Sequence, residues 1–413
     1  MLYGALAQVL LRCFTVVVAL GVAGDLFAAR YQIKLAARMA AIGSRHGSFA
    51  IEEGLYPSFH PVVLNDAGDI AQPMLTGPHG KAALWVRGHD WLSGRVVFEV
   101  DDTDQLITEV VNDGKEGVLF TVMDEAAALG VYRYSYANDQ VTLVTAQPLG
   151  VRAFRSLESL GNGAFGSKLS FGASDQQLGV YQSGSWHWLA ATMSVDRLSP
   201  FYFFYGVHFV EKDQAIVHAM HSPRSGDSAI YRLRSGAPPE SLLQQSFSGG
   251  GAVNGALAPW IHGNARGELL FAYYGAQGGL AWRLLTVHNQ ITPIVPSAFD
   301  GVAELFPAAI NDDGLVVLRA VARGLRGVYL SEDDAFIKII GSGDTVMSDL
   351  GPAVVGRPMG ASANFNHSPS INGQGDIAFT CDLVLPASPL QSVGLADFGE
   401  GIGIGIFVAH RLD

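Results

Sequence analysis

The sequence predicts an all-β fold: a seven-bladed β-propeller of four-stranded blades, its ring closed by an N-terminal strand that completes the last blade. Three observations predict it. An Asn-x-x-Gly turn recurs ahead of an aromatic strand, a second aromatic returns about every 50 residues, and the last repeat ends one strand short. Four strands per unit of that length, repeated seven times, is the arithmetic of a propeller.

The clearest unit has Asn311 and Gly314 in its turn, Leu318 in the next strand, and then Gly327-Val328-Tyr329. Asn65, Gly68 and Trp85 repeat the pattern near the start. Asn264, Gly267, Phe271 and Trp282 repeat it again, as do Asn372, Gly375, Phe379 and Phe407 near the end. Weaker copies run from Asn112 to Phe120 with Tyr132, from Asn162 to Phe171 with Tyr181, and from Val210 to Val217 with Tyr231. The second aromatics stand at 85, 132, 181, 231, 282, 329 and 407, so successive intervals are 47, 49, 50, 51, 47 and 78. Their recurrence at one place in the unit marks packing between blades rather than sugar stacking.

Each unit reads as a strand, the Asn-x-x-Gly turn, a second strand alternating between faces, a third strand ending in the aromatic, and an outer strand such as 336–340. Asn caps its own turn, and Gly takes positive φ between antiparallel strands. The last unit runs out just after Phe407. The stretch 48–53 lies where its missing outer strand is wanted, and such a clasp removes an open sheet edge.

Composition agrees. Glycine supplies 49 of 413 residues, about 12 percent against roughly 7 percent in ordinary chains. A chain 49 percent hydrophobic and 15 percent charged buries enough apolar surface to exclude disorder over most of its length. Each Gly in a helix costs about 1 kcal/mol, which excludes a helical bundle. The net charge of −12 argues against a nucleic-acid partner, which needs a basic stripe to displace counterions. Cys13 and Cys381 offer no disulfide framework. A monomer is expected.

At the N-terminus an apolar run over 13–24 follows Arg12, shorter than a spanning helix of about 20 residues. Residues 1–24 therefore read as a signal peptide, with export to the periplasm, cell surface or medium. Membrane contact is expected only through this segment, if it is uncleaved. In 25–47, Phe27, Tyr31, Leu35, Met39 and Ile42 recur at helical spacing beside Arg30, Lys34 and Arg38, which predicts an amphipathic helix and linker. The propeller is expected over 48–413.

The Asn-x-x-Gly-x-x-x-Phe units, complete at Asn264 to Phe271 and at Asn372 to Phe379, resemble those of bacterial exported tandem-repeat proteins named for this motif. The resemblance covers roughly residues 55–410. It implies repeat architecture and is silent about chemistry.

Propellers bind ligands at the channel mouth. Alignment of the units puts His60, Arg155, Tyr205, Phe306 and His367 at or just before the inner strands, and His79, His221, Arg224 and Tyr274 in the loops after the second strands. His60, Tyr274 and His367 are thus candidate ligand contacts for a glycan or a protein. The fourth unit departs most from the repeat and carries Tyr205, His208, His221 and Arg224, following His187. Such a set could serve β-elimination of a uronate polysaccharide, with a cation on the carboxylate and a base and acid at C5 and O4. His187 and His208 also resemble the paired histidines of seven-bladed ulvan lyases, which implies a polysaccharide lyase as the alternative to a binding module. The bland reading is that these are ordinary strand and rim residues. No cofactor is expected and no metal site is assigned. Asp101, Asp102 and Asp104, or Glu332 to Asp334, could hold a structural Ca²⁺, although solvated turns explain them as well.

Overall fold

The computed structural model describes residues 30–412, apart from 42–43, 59, 78–79, 116, 126, 147, 149, 223–226, 245–254, 276–279, 286–287, 289, 296–301, 323, 333–334, 358–364 and 387–398. The expected signal peptide, Cys13, His79 and Arg224 thus lie outside the described residues. So do the side chains of Tyr274, Phe306 and His367, whose main chain belongs to described strands.

Seven antiparallel four-stranded sheets form a seven-bladed propeller. The innermost strands are Leu55–Pro57 with Val63–Leu64 in blade 1, Leu106–Asn112 in blade 2, Ala153–Gly161 in blade 3, Phe203–Glu211 in blade 4, Gly255–Gly263 in blade 5, Val302–Ile310 in blade 6 and Phe365–Ile371 in blade 7. From blade 1 to blade 6 the chain runs outward through three further strands, and up to blade 5 it then steps directly to the next inner strand.

The repeat residues have distinct mechanical tasks. The motif aromatic on the second strand stacks on the third-strand aromatic of its own blade: Phe120 on Tyr132 at 5.5 Å, Phe165 on Tyr181 at 5.3 Å, Phe379 on Phe407 at 5.6 Å. Each such pair contributes about 0.5–1.5 kcal/mol beyond its area. Blade 5 departs from the alignment, because Phe271 pairs with Arg283 and Trp282 falls one residue off. At Gly327 a Cβ would come within 2.5 Å of the Ile340 carbonyl on the outer strand, next to a register shift at Val328/Tyr329. Gly314 holds φ at 84° to close the motif turn.

The motif Asn works on two blades at once. Asn311 Oδ1 accepts from the amides of Asp313 and Leu315, while its Nδ2 donates 2.9 Å to the Asn372 carbonyl in the next blade. Asn264 reaches the Asn311 carbonyl at 3.0 Å, and Asn372 reaches the Asn65 carbonyl at 3.0 Å, passing from blade 7 to blade 1. The four motif asparagines are buried, so every amide hydrogen bond here replaces water.

Second strands do not alternate as the sequence suggests. Gly117–Met123 and Ala164–Ser170 are buried at nearly every position, because neighbouring blades cover both faces of each sheet.

Ring closure uses an N-terminal strand, but a different one from 48–53, and residues 31–39 are not helical. Strand Tyr31–Met39 pairs antiparallel with Gly401–Arg411, from Tyr31 opposite Arg411 to Met39 opposite Ile404, and is the outer strand of blade 7. Tyr31, Leu35 and Met39 sit four apart, a spacing that satisfies a helix and, being even, a strand as well. Ile33 and Ala37 fill the period of two, and that decides for the strand. The 48–53 stretch supplies one bridge, Phe49 to Arg38. A hairpin of Thr345–Ser348 and Gly351–Val355 joins the same sheet by pairing with its second strand, Ile377–Val384, on the edge that the inner strand also uses. Its tip carries Asp349, which accepts from Arg38 Nε and Nη2 at 2.7 Å each; Arg38 also donates to the carbonyls of Ile402 and Gly47.

Candidate functional site

Inner strands line the axis of a propeller. Every inner strand here loses register with its second strand partway along its length. The break falls between Ile107 and Glu109, Arg155 and Glu158, Phe204 and Val207, Leu257 and Ile261, Leu305 and Ala308, and Asn366 and Ser370; in blade 1 it is the gap between Pro57 and Val63. Proline lies in four of these breaks, as Pro61, Pro259, Pro307 and Pro369, where its missing N–H costs no ladder bond. His60, Arg155, Tyr205, Phe306 and His367 all fall at breaks, so the alignment of units located them correctly on the backbone.

Side chains from second strands satisfy the freed carbonyls. Gln72 Nε2 donates to the His60 carbonyl at 2.9 Å, and Ser167 Oγ to that of Arg155 at 3.1 Å. Lys168 Nζ crosses from blade 3 to the Phe204 and Tyr205 carbonyls of blade 4, at 3.1 and 2.5 Å. Arg319 crosses in the same way from blade 6 to the Phe365 carbonyl of blade 7.

Four titratable groups from blades 1 to 3 meet at these breaks. Burial pushes the Glu109 carboxyl up to about 7, against the smaller opposing pull of Arg155, Lys168 and hydrogen bonds from the Leu157 and Ser156 amides. Those amides belong to the blade 3 break, where Ser156 takes φ of 50°. Burial lowers the Lys168 amine to about 8, with Glu109 opposing and Arg155 assisting. His60 is held below its ordinary value by burial and then by Arg155. The Arg155 side chain is exposed and, among the described residues, makes no hydrogen bond or ion pair. At the blade 5 break, Trp260 is 40 % exposed. Perturbed ionisable groups beside an open cation mark a candidate binding site, and Trp260 stands at the corresponding break of blade 5.

Sequence reasoning missed Glu109, Lys168 and Trp260. Lys168 stands in a strand that reads as core, and Trp260 stands beside a proline. The one usable signal was unit alignment, which puts all three at the level of Arg155 and Tyr205.

The elimination set does not assemble. His208 lies opposite Ile216 on the inner strand of blade 4, and His221 follows Met220. Five residues of strand separate those levels, about 16 Å. His187 is exposed on the outermost strand of blade 3, its ring 3.5 Å from Ser185 Oγ. His221 is engaged by the Tyr231 hydroxyl. Tyr205 donates to Met220 Sδ at 3.5 Å, and its ring lies 4.7 Å from that of His218.

His208 has an architectural partner set instead. Its Nδ1 donates to Glu158 at 3.0 Å and its Nε2 to the Asn264 carbonyl at 3.1 Å, so it makes toward blade 5 the bond that motif asparagines make elsewhere. Burial lowers its basicity, but the Glu158 charge and hydrogen bond together with the Asn264 carbonyl outweigh burial and raise it. Both ring nitrogens face acceptors, and the imidazolium satisfies both. His218, beside Tyr205, is the opposite case: burial pushes it down to about 4, and its Nε2 lies 2.9 Å from Ser228 Oγ.

For the calcium expectation, Asp101, Asp102 and Asp104 are exposed, and Asp102 accepts from the Thr103 amide within its own turn. Glu332 pairs with Arg30 and Arg411. Among the described residues no group of three or more His, Cys, Asp or Glu side chains converges in a way that could hold a metal.

No protein-family model matches this chain. No curated protein matches it either. Solved structures do. Two substrate-bound variants of prolyl oligopeptidase B from Galerina marginata share 9 and 10 % identity with it, at TM-scores of 0.51 and 0.50; each comparison covers 84 % of this chain and 51 % of that one. A prolyl endopeptidase structure matches 94 % of this chain at 11 % identity and a TM-score of 0.48. This chain thus spans about half the length of the proteins it matches. At such identity the likeness is one of fold.

Proposed function

We propose that this chain is an exported binding module that takes a glycan or protein ligand in the mouth of its central channel, at the level of the inner-strand breaks. The observation that most supports this is Arg155, an exposed guanidinium with no ion pair in a protein of net charge −12. Glu109 lies within electrostatic reach of it, yet the Glu109 carboxyl is spent on the Ser156 and Leu157 amides. The cation is left for a ligand. Trp260 adds an exposed flat face at the same level of the axis. The lyase alternative has no comparable support, since His187, His208 and His221 are far apart and His208 and His221 are already engaged. An array of glycans together with pull-downs tests the proposal. Arg155→Gln and Trp260→Ala should each weaken capture about tenfold or more with the fold intact; a ligand bound equally well by both variants would rule out the channel.

A further inference from the structure

The chemistry at the breaks narrows the ligand, on the footing of the channel reading above. Four features bear on it. First, the charge is small. Lys168, with an amine near 8, and Glu109, with a carboxyl near 7, largely offset each other, and His60 is disfavoured as a cation. Arg155 remains as about one net positive charge, which matches a monoanion better than a phosphate dianion.

Second, the available donor is a fork. The Lys168 amine is occupied by the Phe204 and Tyr205 carbonyls, whereas the Arg155 guanidinium is free to meet a planar two-oxygen group in bidentate fashion. Third, several main-chain carbonyls at this level, those of His60, Arg155, Phe204, Tyr205 and Phe365, already accept side-chain donors. A peptide that bound by strand addition needs open backbone partners, and these carbonyls are the poorer for being engaged. Fourth, Trp260 is exposed beside Pro259, and an indole face packs well on the apolar C–H face of a sugar ring.

We infer that the ligand is an acidic glycan whose uronate carboxylate is taken by Arg155 while a neighbouring sugar ring lies against Trp260. The carboxylate supplies the missing counter-charge.

The test uses the full chain and three uronate oligomers, of galacturonate, guluronate and glucuronate, each beside its carboxyl-reduced counterpart, with dextran sulfate as a sulfate control; affinities are read by calorimetry. At least one uronate oligomer should bind about ten- to hundredfold more tightly than its reduced form, the span of a charge-assisted pair. Arg155→Gln should erase that ratio, and Arg155→Lys should restore only part of it. Equal binding of acidic and reduced forms, a ratio that survives Arg155→Gln, or dextran sulfate binding as tightly as the uronates would overturn the inference. Failure of all three oligomers to bind would overturn it too. The channel reading fails separately: it falls if Trp260→Ala leaves untouched the binding of whichever ligand arrays or pull-downs identify.

Discussion

At the level of single residues, polar side chains in this propeller divide between fastening blades and serving the inner-strand breaks. Asn311 fastens: it caps its own turn twice and donates to the Asn372 carbonyl from a buried position. Asn311→Ala should therefore cost about 2–3 kcal/mol, since it orphans buried main-chain groups in two blades. Urea unfolding measures this, and a loss below about 0.5 kcal/mol would show that the turn holds without it. Glu109 sits at the blade 2 break and should reveal itself through pH. Its folded carboxyl near 7 holds a proton that the unfolded chain has lost above about 4.5. The folded state thus binds more protons across that window, and stability falls as pH rises through it. The stability of wild type relative to Glu109→Gln should decline between pH 4.5 and 7 and level off above; a difference constant with pH would refute the assignment. Asn-x-x-Gly was legible in the sequence because turn chemistry is local. Glu109, Lys168 and Trp260 were not, because their positions depend on where each inner strand breaks register, and register is a property of two strands.

Among the elements, the closing strand teaches the most. That an N-terminal strand would complete blade 7 was legible from a last repeat one strand short, a matter of counting. Which segment does so was misread, since Tyr31, Leu35 and Met39 fit both periods and the cations beside them resemble a helix's polar face. Arg38 is no surface cation: it is 1 % exposed and holds Asp349 with two hydrogen bonds. Asp349→Ala leaves that guanidinium buried without its carboxylate and should cost about 3–5 kcal/mol. Arg38→Met in the same chain should recover part of the loss, as the uncompensated charge is then gone. If Asp349→Ala is neutral by thermal and urea unfolding, the clasp is held by its strand pairing alone.

Over the whole molecule, the last blade is complete only while the two ends of the chain are paired. Removal of residues 31–39 exposes Gly401–Arg411 as an open edge and uncovers the apolar residues packed on it, Ile406 and Val408 among them. The truncated chain should lose single-transition unfolding and self-associate, as light scattering would show; a monodisperse, cooperatively unfolding product would mean that the ring closes by blade packing alone. Ring closure also sets the function proposed, because only a closed ring holds Arg155 and Trp260 around one channel. That claim is tested most directly by ¹⁹F NMR of the protein carrying 5-fluorotryptophan, with the Trp260 resonance assigned by Trp260→Phe, during titration with uronate oligomers. The Trp260 resonance should shift saturably and the exposed Trp188 resonance on the blade 3 rim should not, with the Trp260 shift abolished in Arg155→Gln; a saturable shift at Trp188 with Trp260 unmoved would contradict a ligand in the channel.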